Sequence, residues 1–146
     1  MKISSPAFSQ NSSIPVRYTC DGEDISPPLS LQEVPAAAKT LALIVDDPDA
    51  PAGTWVHWLV WNIDPQTTTI PEGKLPEGAR EGVNDYRRTS YGGPCPPSGT
   101  HRYFFKLYAL NTKLDLDRNA KRKMLEAAIK DHVIASAELV GLYKRT

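Results

Sequence analysis

Side-chain character alternates with a period of two residues through the readable parts of the chain. Residues 55–63 and residues 101–110 each alternate between two sets of side chains. This period is typical of β-strands, because successive side chains point to opposite faces of a sheet. Both sets are largely apolar, so we predict central strands that are buried on both sides. Shorter runs predict strands at residues 14–18 and 40–46.

One segment instead has the period of an α-helix, and Asp117 is a candidate N-cap for it. Its inward-facing positions are Leu125, Ala128, Ile129 and His132. Residues 133–143 alternate again, which predicts a strand ending near Gly141. Prolines and glycines between residues 64 and 100 predict long surface loops. Together these elements predict a mainly β protein, an antiparallel β-sandwich with one or two short helices.

Length and charge narrow the class of protein. A chain of 146 residues fits a single domain spanning residues 1–146. Lys and Arg together number 17, as do Asp and Glu, and this zero net charge argues against nucleic-acid binding. No apolar stretch typical of a signal peptide follows Lys2, and the longest apolar run, residues 41–45, is too short to cross a membrane. We therefore expect a cytoplasmic protein, with Cys20 and Cys95 as reduced thiols.

Candidate chemistry is concentrated where two proline-rich loops lead into the aromatic strands. Residues 46–51 contain Asp47 and Asp49, and His57 stands on the strand that follows. Residues 91–100 are rich in glycine and proline and lead directly to His101. If the two strands are neighbours, these carboxylates, imidazoles and backbone N–H groups line one pocket. Imidazolium, tyrosine hydroxyl and free N–H groups suit a small anion such as phosphate.

Plainer interpretations stand beside this one. Either histidine alone reads equally well as a hydrogen-bonded core residue, and Asp47 and Asp49 as turn formers before prolines. The same four side chains are candidate metal ligands, but they lack a recognised metal-site spacing, so we expect no metal. Cys95 is a candidate nucleophile with His101 as its base, but no helix N-terminus lowers its pKa. We therefore expect no enzyme and no cofactor.

Three stretches of sequence carry a resemblance to a known family. The first is DDPDAP followed by the strand WVHWLVWN, the second is YGGPCPPSGTHRYFFKLYAL, and the third is YTCDGEDISPPL at residues 18–29. In this order they resemble the phosphatidylethanolamine-binding protein family, also called Raf-kinase-inhibitor-like proteins, and in particular its bacterial and archaeal branch. The resemblance extends from the first strand to VGLYKR at residues 140–145.

The resemblance implies a Greek-key β-sandwich with a small anion pocket at one end. Transferred residue by residue, that pocket comprises Asp47, Asp49, Pro51, Trp55, His57, Gly93, Pro94, Cys95, Pro96, His101 and Tyr103. In the family it takes phosphate, phosphorylethanolamine, acetate or similar anions. We therefore expect a small-anion-binding protein with a regulatory role. The alternatives are an inhibitor of a protease or kinase acting through its loop surface and, more remotely, a hydrolase or isomerase using His57 and His101.

Further expectations follow from the same resemblance. Prokaryotic members often form dimers, which implies a homodimer. Animal members have a longer insertion after Pro51, a C-terminal helix and a glycine in place of Cys95, and these departures argue against Raf-type inhibition. The family places Cys20 and Cys95 around the same end of the sandwich, close enough for a bridge to form. The two prolines of DPDAP, in a loop of this character, predict at least one cis X-Pro bond.

Overall fold

Two β-sheets packed face to face form the protein in a computed structural model, which describes residues 1–145. The strands are β1 (Lys2–Ser4), β2 (Ser12–Ser13), β3 (Leu29–Gln32), β4 (Thr40–Asp47), β5 (Trp55–Ile63), β6 (Thr69–Ile70), β7 (Arg80–Glu81), β8 (His101–Leu110) and β9 (Val133–Tyr143), and the helix is α1 (Arg122–Ile129). The smaller sheet has the order β1-β3-β6 and the larger the order β2-β9-β8-β4-β5-β7. The mainly β sandwich expected from the sequence is confirmed.

The order of strands in the larger sheet positions the candidate site. β4 pairs antiparallel with β5 on one side and with β8 on the other. Asp47, the last residue of β4, therefore lies opposite Trp55, the first residue of β5. The start of β8 lies at the same end of the sheet, where Asp46 is opposite Phe104. This topology brings both proline-rich loops together, as the sequence analysis required.

Apolar side chains fill two layers, one on each face of the larger sheet. The layer between the two sheets includes Leu31 from the smaller sheet and Leu43 and Phe105 from the larger one. The other layer lies between the larger sheet and α1, where Leu125 packs against Trp61. β5 is buried on both faces for this reason, as predicted, although only the two-residue strand β7 lies beyond it. β8 is central, but its second face, including Arg102, is only partly covered.

A β-bulge interrupts the regular alternation of β5. Val45 lies opposite Trp58 and Asp46 lies opposite Val56, so His57 is an extra residue on β5. Val56 and Trp58, which strict alternation places on one face, consequently pack into opposite apolar layers. Bulges are frequent beside functional sites, because they redirect a side chain relative to a regular strand.

Three local predictions were wrong. Residues 14–18 do not form a strand, because a 3₁₀ turn at Val16–Tyr18 follows Pro15. α1 begins at Arg122, since the Asp117 carboxylate instead accepts the Asn119 N–H at 2.8 Å and closes a turn five residues earlier. No cis peptide bond occurs among residues 1–145. The loop after β4 turns by another means: the Asp47 carboxylate accepts the Asp49 N–H at 2.7 Å.

The predicted strand at residues 133–143 is confirmed and runs on past Gly141 to Tyr143. The loop-rich stretch between residues 64 and 100 contains only β6 and β7, each of two residues. The helix found in the described part of the chain, α1, is too short to cross a membrane.

Candidate functional site

A cavity of about 220 Å³ opens at the end of the larger sheet where β4 ends and β5 and β8 begin. Its lining comes from both proline-rich loops, from the strand ends and from the segment before the second loop. The lining residues are Asp47, Ala50, Pro51, Trp55, His57, Tyr86, Cys95, Pro96, Pro97, His101 and Tyr103. Both imidazoles therefore reach one cavity, as the sequence analysis expected.

His57 is fixed in one orientation by a reciprocal contact with the second loop. Its Nδ1 lies 2.7 Å from the Gly92 carbonyl oxygen, and the Gly92 N–H donates to the His57 carbonyl at 2.9 Å. A carbonyl oxygen only accepts, so Nδ1 carries the proton. Burial lowers the pKa of His57, which favours the neutral ring. In the neutral ring Nε2 is then an acceptor, so His57 is not the imidazolium that the anion interpretation invoked.

His101 is oriented by a carboxylate rather than by the backbone. Its Nδ1 lies 2.6 Å from Oδ2 of Asp47, and both side chains are buried. The second carboxylate oxygen of Asp47 accepts the Asp49 N–H, so both oxygens have partners. Nδ1–H of His101 is thereby committed to Asp47, which leaves Nε2 as the nitrogen available to a ligand.

Two hydrogen-bond donors that line the cavity have no partner. Neither the Tyr103 hydroxyl nor Nε1 of Trp55 makes a well-formed hydrogen bond with any residue of the described chain, although both atoms are buried. Tyr86 lies near Nε1 of Trp55, but the contact does not have hydrogen-bond geometry. Burial also raises the pKa of Tyr103 well above its usual range, so its hydroxyl keeps its proton. An unpaired buried polar group costs about 1–3 kcal/mol, and such groups in a folded protein call for an explanation.

Tyr86 closes the cavity from a segment that neither motif contains. Its ring lies edge-on to both Trp55 and His57, with centroids 5.4 and 5.6 Å away. Its hydroxyl donates to the Gly93 carbonyl at 2.9 Å. Burial raises the pKa of Tyr86 to about 12, so this donor also stays protonated.

The second loop is held in place by a disulfide and by a close approach of its backbone. Cys20 and Cys95 form a disulfide with their Cα atoms 5.4 Å apart, so the expected proximity is confirmed and the interpretation as reduced thiols is wrong. It also removes the thiol that a nucleophilic Cys95 requires. The Gly93 N–H donates to Asp24 at 2.7 Å, and a Cβ at Gly93 would lie 2.4 Å from the same carboxylate oxygen. Only glycine fits there without displacing Asp24.

Eight of the eleven residues expected at the pocket line the cavity, and three do not. Asp49 instead accepts hydrogen bonds from the Arg102 backbone and guanidinium at 2.8–3.0 Å, which holds its pKa at about 2. It thereby fastens the first loop to the start of β8. Gly93 is bound to Asp24, and the Pro94 carbonyl accepts the Cys20 N–H at 3.1 Å. These three residues support the loops around the cavity rather than line it.

Three lining residues, Ala50, Tyr86 and Pro97, were missed. Ala50 and Pro97 lie inside the two quoted motifs and could have been included from their position alone. Tyr86 carries no such signal. It reaches the cavity because Asn84 closes a turn, accepting the backbone N–H groups of Tyr86 and Arg88 at 2.9 and 3.1 Å. The described residues contain no group of three or more His, Cys, Asp or Glu side chains that could hold a metal ion.

The chain belongs to the phosphatidylethanolamine-binding protein family, whose model matches residues 4–144. It is 52% identical to a UPF0098 protein of Methanothermobacter thermautotrophicus over 99% of each chain. Among solved structures, a phosphatidylethanolamine-binding protein homologue from Chlamydia trachomatis superposes with a TM-score of 0.95 at 41% identity, over 99% of this chain and 97% of that one. Escherichia coli YbcL, described as a new member of the mammalian family, superposes with a TM-score of 0.93 at 33% identity, over 99% of this chain and 98% of that one.

Proposed function

We propose that this protein binds a small anion of the phosphate or phosphorylated-headgroup class in the cavity between the two loops. The observation that carries the proposal is the pair of unpaired buried donors, the Tyr103 hydroxyl and Trp55 Nε1. Ligand oxygens placed between them would satisfy both donors and recover the free energy that their isolation costs.

The surroundings of the cavity favour binding over catalysis. Cys95 is held in the disulfide, and the lining contains no serine or lysine that could serve as a nucleophile in its place. His57 and His101 are each tied through Nδ1 to a rigid partner. A site with fixed donors and no serine, lysine or free thiol is suited to holding a ligand, so we propose no enzymatic activity.

A regulatory role, a homodimer and a cytoplasmic location complete the proposal, and they rest on the family resemblance and the sequence rather than on the cavity. The disulfide bears on location, because bridges persist in oxidising compartments and are rare in the cytosol of mesophiles. A cytoplasmic address therefore requires a cell whose cytoplasm tolerates disulfides.

Calorimetric titration with phosphorylethanolamine tests the binding proposal through Tyr103→Phe. The hydroxyl has no hydrogen-bond partner within the described residues, so its removal breaks no hydrogen bond in the free protein. We expect the variant to bind about 1–3 kcal/mol more weakly than wild type, the scale of a hydrogen bond to a charged group.

Tyr108→Phe is the matched control, because Tyr108 lies on the same strand and packs against the α1 layer instead. It should bind phosphorylethanolamine with wild-type affinity. Equal affinity of Tyr103→Phe and wild type, or no detectable binding by wild type, would refute the proposed site.

A further inference from the structure

We infer that the cavity selects ligands that carry an acidic O–H as well as free oxygens: a phosphomonoester or inorganic phosphate in its singly protonated charge state, in preference to a dianion or a phosphodiester. The inference rests on the proposed function and specifies which chemical form of the anion binds. It follows from the hydrogen-bonding capacity of the lining and from its charge.

The lining presents an acceptor as well as donors. Because Nδ1–H of His57 is given to the Gly92 carbonyl at 2.7 Å, Nε2 is the ring nitrogen left for a ligand, and in the neutral ring it only accepts. A ligand oxygen facing Nε2 must bring a proton, or two lone pairs meet.

The charge of the lining points the same way. It contains the carboxylate of Asp47 and no lysine or arginine. With His57 neutral, the net charge is −1 or, if His101 is protonated, 0. Asp85, whose carboxylate accepts the Val56 N–H at 2.7 Å, adds another negative group near His57.

Two arginines that contact residues of the first loop or of the lining are engaged by those contacts. Arg102 is paired with Asp49 at 2.8 Å, and Arg88 stacks on the Tyr86 ring with its guanidinium 5.3 Å from the ring centroid. Neither lines the cavity. A doubly charged ligand would therefore enter a buried site without a compensating cation, which is costly.

The two unpaired donors complete the pattern. The Tyr103 hydroxyl and Trp55 Nε1 each need an acceptor oxygen, and His57 Nε2 needs a donor. A phosphomonoester monoanion provides both, since it has one P–O–H and two further oxygens that share its charge. A sulfate dianion and a phosphodiester have oxygens but no acidic proton. The phosphate of an intact phospholipid headgroup is a diester, so this chemistry favours free monoesters over the lipid.

The test compares phosphorylethanolamine, sulfate and dimethyl phosphate by calorimetric titration of the wild-type protein at pH 6 and pH 8. With a second pKa of about 6, a monoester is about half monoanion at pH 6 and about 1% monoanion at pH 8. We expect its affinity to be about fiftyfold higher at pH 6, in proportion to the monoanion. The ammonium group of phosphorylethanolamine stays charged across this range and adds no change of its own.

The other two ligands separate titration of the ligand from titration of the protein. Neither changes protonation between pH 6 and pH 8, so any change in their affinity reports a change in the protein itself. We expect both to bind at least about tenfold more weakly than phosphorylethanolamine at pH 6, the scale of one unsatisfied buried group. A parallel fiftyfold gain for sulfate, or equal binding of dimethyl phosphate, would overturn the selection while leaving the proposed anion site intact. Absence of binding by all three would overturn both.

His57→Asn assigns the selection to one atom. An asparagine amide nitrogen can take the place of Nδ1 on the Gly92 carbonyl, but nothing replaces Nε2. We expect the variant to lose most of its preference for phosphorylethanolamine over sulfate at pH 6, with sulfate affinity unchanged within about twofold. His132 is a half-buried histidine beyond the end of α1, bound to Asn111 and outside the cavity, so His132→Ala is the matched control and should keep the preference. An unchanged preference in His57→Asn would overturn the role of Nε2, and if that variant does not fold, the wild-type titrations decide alone.

Discussion

Two adjacent carboxylates at the end of β4 face opposite sides of the larger sheet and meet different surroundings. Asp47 faces the cavity, and both of its oxygens are hydrogen-bonded, to His101 and to the Asp49 backbone. Asp46 faces the α1 layer, where Lys106 binds one oxygen at 3.0 Å and the other has no partner in the described chain. Burial accordingly raises the pKa of Asp46.

Unpaired groups occur on both sides, but only on one side do the residues that carry them line a cavity. In the α1 layer the unpaired atoms are an oxygen of Asp46 and Nε1 of Trp61, enclosed by apolar packing. At the cavity they are the donor atoms of two residues that line it, Tyr103 and Trp55. An unsatisfied buried atom therefore indicates a binding site only where a cavity adjoins it, and elsewhere it is simply a cost to stability.

The largest expected difference between the two sides comes from the disulfide, which only the cavity side has. The Cys20–Cys95 bridge joins residues 75 positions apart. In the chain-entropy account, removing a bridge over such a loop costs about 4 kcal/mol of unfolding free energy. We expect Cys20→Ser with Cys95→Ser to show this loss in urea denaturation, together with weaker binding of phosphorylethanolamine.

The same cross-link provides a control without mutation, since wild-type protein in reducing buffer should match the double variant. Equal midpoints for oxidised and reduced protein would show that hydrogen bonds alone hold the second loop. The α1 layer contains no cysteine, so the double variant should leave it unchanged, as reported by hydrogen exchange of the α1 amides.

Replacing Asp46 or Asp47 with asparagine compares the two carboxylates directly through their effect on stability. Asp47→Asn weakens a charge-assisted hydrogen bond to His101, and we expect it to cost about 2 kcal/mol at pH 7. Asp46→Asn removes a charge that burial disfavours, so we expect no loss of stability or a gain. Chemical denaturation of both variants at pH 7 measures the contrast.

The pH dependence of the second variant has a definite sign. Because the pKa of Asp46 is raised in the folded state, the folded protein holds that proton more tightly than the unfolded chain does. Stability of the wild type due to this group therefore falls as pH rises from the ordinary aspartate pKa through the raised one. The advantage of Asp46→Asn should grow over that window, and an advantage that shrinks with rising pH would contradict this account.

The sequence predicts the strands better than it predicts which face each side chain occupies. The bounds of β5 and β8 follow from alternation, since long apolar runs on a buried sheet leave little freedom. The bulge at His57 and the irregularity near Asn62, at φ 55°, follow from pairing with β4 and leave no signature in the chain itself. For that reason alternation alone places Val56 and Trp58 on one face, although they pack into opposite layers.

Most of the cavity could likewise be predicted, because its histidines and loops lie within two recognisable motifs. Tyr86 could not, since its position depends on the turn that Asn84 closes outside either motif. The role of Asp49 was also out of reach, because the Arg102 guanidinium that captures it is a tertiary contact. Sequence therefore identifies which residue types meet, whereas tertiary hydrogen bonds decide which of them remain free for a ligand.

The smallest expected effect is a difference in stability between variants of two buried tyrosines, one with a hydrogen-bonded hydroxyl group and one without. The Tyr91 hydroxyl donates to the Tyr18 carbonyl at 2.8 Å. Tyr91→Phe leaves that carbonyl without this hydrogen bond and should lower the free energy of unfolding by about 1 kcal/mol. The Tyr103 hydroxyl has no partner in residues 1–145, so Tyr103→Phe removes an unmet donor and should leave stability unchanged or raise it by up to about 1 kcal/mol. Thermal unfolding without ligand, at one pH for both variants, measures the difference. A loss in Tyr103→Phe equal to that in Tyr91→Phe would mean that its hydroxyl is satisfied in solution, and the main support for the cavity as a binding site would be gone. If instead stability holds while affinity for phosphorylethanolamine falls, the hydroxyl is kept for the ligand at the expense of the free fold.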